Sequence, residues 1–275
     1  MTAAQGRTWP WGELHVVAGI WLGIAAYAGP LLLIGVTASA VGAGSVAFTD
    51  VGDVFEKAGV VARFADERLA RAVAGNALPE PPRILGSVVA ARVAWSYAIV
   101  SAGLFAGAAV VAARQRPGAF ARATGLGRFD VDRLWLPGAA VAVLYLAAGL
   151  YARGVEAAGI DVLIPDATRL DATLRDTPAL VLYGLTTVVA APIGEELFYR
   201  GLVFSGLAAW GFVPAALVSS ALFALSHLDA GSIIPFTALG MTMAWLYWRS
   251  GSLWDAIAFH VLFNLLSFIL LIART

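Results

Sequence analysis

Seven apolar runs, each near the length of a membrane span, leave this chain few folds to choose from. They cover about 15–41, 88–113 and 134–152, then a run that begins near Pro178 and passes through Glu195 and Glu196, then 213–228, 233–248 and 253–272. A helix needs about 20 apolar residues to cross the hydrocarbon core, and within lipid the chain must satisfy every backbone N–H and C=O itself. Composition agrees: 60% of residues are hydrophobic and 13% are charged, where a soluble domain carries about 25% charged residues. The expected fold is all-α, a polytopic transmembrane helix bundle of about seven spans. The last four runs are joined by very short connections, which predicts tightly packed antiparallel neighbours.

The most charged stretch lies between the first two runs. Val54, Ala58, Val61, Ala65, Leu69 and Ala72 recur there at helical spacing among charged residues. This predicts one amphipathic extramembrane helix over 50–75, lying on the membrane surface or capping the bundle. The polar residues 1–11 lead into the first run without a nearby small-residue cleavage site, so that run reads as a retained membrane helix. Loop 114–133 holds five arginines against Asp130 and Asp132, while 153–176 holds three arginines against five acidic residues. Arginine-rich short loops face the cytoplasm, which puts the N-terminus there too. Arg249 fits this orientation and Arg274 does not. The net charge is zero and there is no cysteine. Nucleic-acid binding and a general attraction to anionic lipid are therefore not expected, and thiolate catalysis, disulfides and zinc–thiolate sites are excluded.

Two adjacent carboxylates at membrane depth are costly and mark a functional site. Glu196 and Arg200 stand i,i+4, about 40° apart on a helical wheel, so they can pair. Glu195 lies about 100° away and is left for other work. The chain has three histidines. His15 opens the first run and reads as an interfacial residue, whereas His227 and His260 lie in the last three runs with Asn264. A free glutamate, two histidines and an asparagine suit hydrolysis. Glu195 would be the general base on water, a histidine would hold the water or protonate the leaving amine, and Asn264 would donate to the oxyanion.

Glu-Glu-x-x-x-Arg (195–200), Phe-x-x-x-His (223–227) and His-x-x-x-Asn (260–264), in that order on successive membrane helices, resemble the CPBP family of intramembrane proteases. This is the CAAX-protease and bacteriocin-processing group, which includes the Rce1-type prenyl-protein endopeptidases. The resemblance spans 178 to about 268. It implies an intramembrane endopeptidase with Glu195 as water-activating base, Glu196 and Arg200 in support, and His227, His260 and Asn264 completing the site. It divides the chain into a variable N-terminal membrane region, 1–177, with three spans and the amphipathic helix, and a catalytic four-helix core, 178–275. The implied setting is a bacterial inner (plasma) membrane. The partners are membrane lipid and a peptide or protein substrate cleaved within the membrane or near its C-terminus, with no nucleic acid.

No cofactor is firmly implied. Zinc could be held by Glu195, His227 and His260. A metal-free glutamate mechanism is favoured, because Asn264 suits an oxyanion and no carboxylate is evident to orient either histidine. A rhomboid-like Gly-x-Ser-Gly, an aspartyl Gly-x-Gly-Asp and a His-Glu-x-x-His zinc motif are all missing from the sequence. The alternatives are a proton-coupled transporter, which predicts internal repeats that the sequence does not show, and a non-catalytic scaffold or immunity-type protein, whose phenotype would survive Glu195→Gln.

Overall fold

The computed structural model describes residues 9–25, 118–165, 180–181, 184–227 and 229–273, with short pieces of 66–77. The expected span over 88–113, the second part of the first run and most of the amphipathic segment 50–75 lie outside the described residues. Among the described residues the structure is helical, with no strand. In chain order the helices are α1 (Glu13–Ala25), α2 (Ala119–Thr124), α3 (Trp135–Ala157), α4 (Ala191–Phe198), α5 (Phe212–Leu225), α6 (Ile233–Ser250) and α7 (Leu253–Ala273).

Three stretches of the described residues are long and apolar enough to cross a membrane: Val131–Ala157, Ala230–Ser250 and Leu253–Ala273. They coincide with the third, sixth and seventh runs. The fifth run is shorter than expected. Its helix α5 has 14 residues, about 21 Å at 1.5 Å per residue, against a hydrocarbon core of about 30 Å.

From Gly184 onward the fourth run is one helical path whose middle, α4, is flanked by two widened π turns, Thr186–Ala190 and Tyr199–Phe204. Pro192 explains the first. It has no N–H and crowds the carbonyl one turn back, so the helix accommodates it in its first turn after a wider loop of backbone. The second begins directly after the Glu195-Glu196 turn.

α5 packs along α6, and α7 packs on α3, α4 and α6. Small residues set the close approaches. A Cβ on Gly240 of α6 would stand 2.6 Å from Ser220 Cβ on α5. α1 packs against the path just after α4 in the same way: Gly19 faces Leu202, and Gly206 faces Val16. Close packing of this kind holds membrane helices together where lipid gives no hydrophobic drive. Trp11, just before α1, is buried and donates to Ser205 Oγ at 2.7 Å. Leu202, Val203, Phe204, Met243, Leu246 and Phe259 form the fully buried centre.

The start of α3, the end of α6 and the start of α7 share one level of the bundle. There Gly125 and Gly251 both take left-handed backbone, and a Cβ on Gly125 would stand 2.1 Å from the Gly251 carbonyl oxygen. Ser252 Oγ donates to the carbonyl of Arg128 at 2.9 Å, and Trp254 Nε1 to that of Leu126 at 2.6 Å. At the opposite end Tyr151 Oη donates to the Leu163 carbonyl at 3.2 Å, and Asp229 caps the turn that opens α6.

Candidate active site

Glu196 and Arg200 both have fully buried side chains, with Arg200 Nη1 donating to Glu196 Oε1 at 2.8 Å. A buried charge is tolerated only when paired and well seated. The seat is aromatic on one side, where the guanidinium lies 4.8 Å from the Phe223 ring centroid. On the other side is the gap left by Gly240, where a Cβ would come within 2.9 Å of Arg200 Nη2.

The same Glu196 oxygen also meets His260 Nδ1, on α7, at 3.0 Å. This overturns the expectation that no carboxylate orients a histidine. Glu196 is 64 positions away in the chain, and only helix packing brings it there. A carboxylate at Nδ1 accepts the Nδ1–H and fixes the ring's tautomer and direction. His260 Nε2 then faces Glu195 Oε2 at 3.8 Å. His260 is thus bracketed, with Glu196 on one ring nitrogen and Glu195 near the other. Of the two carboxylates only Glu195 keeps exposed surface, 12% of its side chain against none for Glu196.

His227 stands beside this group. Its Nδ1 is 2.8 Å from the Phe223 carbonyl oxygen, which leaves Nε2 as the working nitrogen. Its ring packs edge-on against Phe223 and Phe236. Among the described residues, no hydrogen bond or ion pair joins it to Glu195 or His260; the Phe223 ring is near both histidines, 4.9 Å from the His227 ring and 5.6 Å from that of His260. Asn264 sits one turn beyond His260 on α7 and donates from Nδ2 to the Thr187 carbonyl at 2.8 Å, in the first π turn. The amide retains a second N–H. His15 lies apart, accepting from Gly12 N at the start of α1.

Reading the sequence missed Phe223 as the hub that touches Arg200, His227 and His260, although it was already the first letter of the Phe-x-x-x-His motif. It also missed Gly240, for which a lone glycine in an apolar helix gives no distinctive signal. Among the described residues, no three His, Asp or Glu side chains form a group that could hold a metal ion. As placed, Glu195, His227 and His260 are not a ligand set.

Residues 177–266 match the family described as Type II CAAX prenyl endopeptidase Rce1-like. This segment is similar to the CAAX protease family. A protein of Bacillus subtilis (strain 168) named "Putative membrane peptidase YdiL" is 33% identical over 87 residues, 31% of this chain. The match covers 36% of that relative, so the chain spans about a third of its length. No solved structure matches the chain. All six candidate residues fall inside the matched segment, while α1, α2 and α3 lie outside it. The similarity to this family and the three long apolar helices among the described residues support an integral membrane protein.

Proposed function

We propose that the protein is an intramembrane endopeptidase that hydrolyses a peptide bond of a membrane-associated substrate with water activated by Glu195. The observation that carries this is the bracketed histidine, with Glu196 at its Nδ1 and Glu195 3.8 Å from its Nε2. That gap is too long for a direct hydrogen bond and suits a water shared by both groups. Glu195 takes a proton from the water as its oxygen bonds to the scissile carbonyl carbon. The proton passes by way of His260 to the leaving amine as the C–N bond breaks. Glu196, neutralised by Arg200, holds His260 in place and supports the imidazolium that forms. The second N–H of Asn264 is the candidate donor to the oxyanion, and His227 the candidate contact on the open side.

The relative's name and the family description point to peptidase chemistry of this class. Prenylated C-termini and other membrane-bound peptides are the substrate classes to screen. The test is a proteomic comparison of cells carrying the wild-type or the Glu195→Gln protein. An uncleaved membrane-bound precursor is expected only with the variant. If a verified substrate is still processed after Glu195→Gln, His260→Ala and His227→Ala alike, the mechanism is wrong.

A further inference from the structure

At the level where α3 starts, α6 stops and α7 begins, a cleft of about 740 Å³ opens between residues 128–136 and 249–255. We propose that it seats the phosphate headgroup of an anionic phospholipid. Arg128, Arg133 and Arg249 line it together with Asp130 and Asp255, so three positive and two negative side chains leave +1. The five are not equivalent. Arg133 Nε is already paired with Asp130 at 2.9 Å. Asp255 is buried in the first turn of α7, where the helix N-terminus favours a carboxylate. Arg128 and Arg249 are exposed, and among the described residues neither has a carboxylate within ion-pair distance. Two guanidinium forks not engaged in an ion pair, in a lining that keeps a net +1, match an anion that offers several oxygens, as phosphate does.

The floor beneath them is tied together by backbone contacts. The Arg128 carbonyl is held by Ser252 Oγ, and the Gly125–Gly251 approach locks the two loops together. The Arg249 guanidinium lies 5.5 Å from the Trp245 ring centroid, which fixes its direction. Depth selects lipid over a soluble anion. Trp135 and Trp245 are both exposed beside the helix ends, and exposed tryptophans at span ends mark the headgroup level. The zero net charge of the whole chain hides this local excess.

The full chain reconstituted in phosphatidylcholine bilayers with spin-labelled phosphatidylglycerol tests the assignment. Wild type should immobilise the phosphatidylglycerol label severalfold more than a phosphatidylcholine label, and unlabelled phosphatidylglycerol should compete. R128Q/R249Q should lose that preference, while R128K/R249K, which keeps both charges, should retain most of it. Equal immobilisation of the two labels by wild type overturns the proposal, as does a folded lysine variant that immobilises both labels equally; neither readout depends on the glutamine variant folding. Displacement of the lipid by inorganic phosphate would assign the cleft to a soluble anion. An unchanged lipid preference in R128Q/R249Q, with a raised KM for peptide, would assign it to substrate docking. Either result overturns the lipid reading.

Discussion

Glu196 Oε1 accepts from Arg200 on its own helix and also meets His260 on another, so one oxygen links a structural ion pair to the proposed catalytic histidine. The two roles can be separated. Arg200→Met leaves the buried Glu196 charge without its cation and with only the His260 Nδ1 contact, a loss of about 3–5 kcal/mol. Adding Glu196→Gln removes that stranded charge, so the double variant should regain most of the stability, as read by thermal unfolding in detergent. It should not regain activity, because a neutral amide no longer supports a charged His260. Full activity in a stable double variant would make the pair a strut only. Glu195→Gln should behave in the opposite way. It should lower turnover by about 10²-fold or more with little change in melting temperature, since among the described residues its carboxylate makes no direct hydrogen bond. Gly240→Ala tests the seat of Arg200. Its Cβ would meet Arg200 Nη2 and Ser220, an overpacking cost of about 1–3 kcal/mol, and activity should fall with stability. The Glu196–Arg200 pair was legible because i,i+4 spacing is local. The Glu196–His260 contact was not, because it depends on how two helices are rotated against each other.

At the scale of elements, the two π turns around α4 matter most. Carbonyls in or beside each turn are met by side chains from neighbouring helices. Asn264 on α7 takes the carbonyl of Thr187, and Ser219 on α5 takes that of Tyr199 at 2.6 Å. A wheel drawn at 3.6 residues per turn cannot show these turns, so the sequence placed Asn264 only with the oxyanion chemistry. Its link to Thr187 gives it a second, structural use. Asn264→Leu should therefore cost about 1–3 kcal/mol for the stranded carbonyl as well as activity. Ser219→Ala, which removes the side-chain donor to the Tyr199 carbonyl, is the control. It should lose comparable stability while keeping a larger share of turnover in an assay below its unfolding temperature. If both variants lose activity in proportion to stability alone, Asn264 has no separate part in the chemistry. Helix positions from 134 onward were readable from apolar runs because length and hydropathy decide them. The shortness of α5 was not, since Ser226 and His227 extend an apolar run in which backbone helicity has already ended.

Across the whole molecule, the boundary near residue 177 separates motif-bearing from motif-free sequence, yet the packed core crosses it. Trp11, Val16 and Val141 belong to the same buried cluster as Leu202, Phe204 and Phe259. α3 packs on α7, the helix that carries His260. α1 seals the path after Arg200 through the Trp11–Ser205 hydrogen bond and the Gly19 and Gly206 contacts. Sequence reading assigned chemistry to 178–275 by its motifs, and motifs carry no record of which helices hold them in register. A piece consisting of 178–275 alone would expose the faces of α7 and of residues 198–206 that α3 and α1 cover. It should insert but misassemble, with no proteolysis of a verified substrate. Co-expression with 1–177 should restore both co-purification and cleavage, because membrane helices form first and associate afterwards through small-residue contacts and interhelical hydrogen bonds. Gly206→Leu in the intact chain should reproduce part of the defect by displacing Val16, without touching any group near Glu195. An isolated 178–275 piece that cleaves at the full-length rate would show that the first three helices serve something other than the architecture of the site.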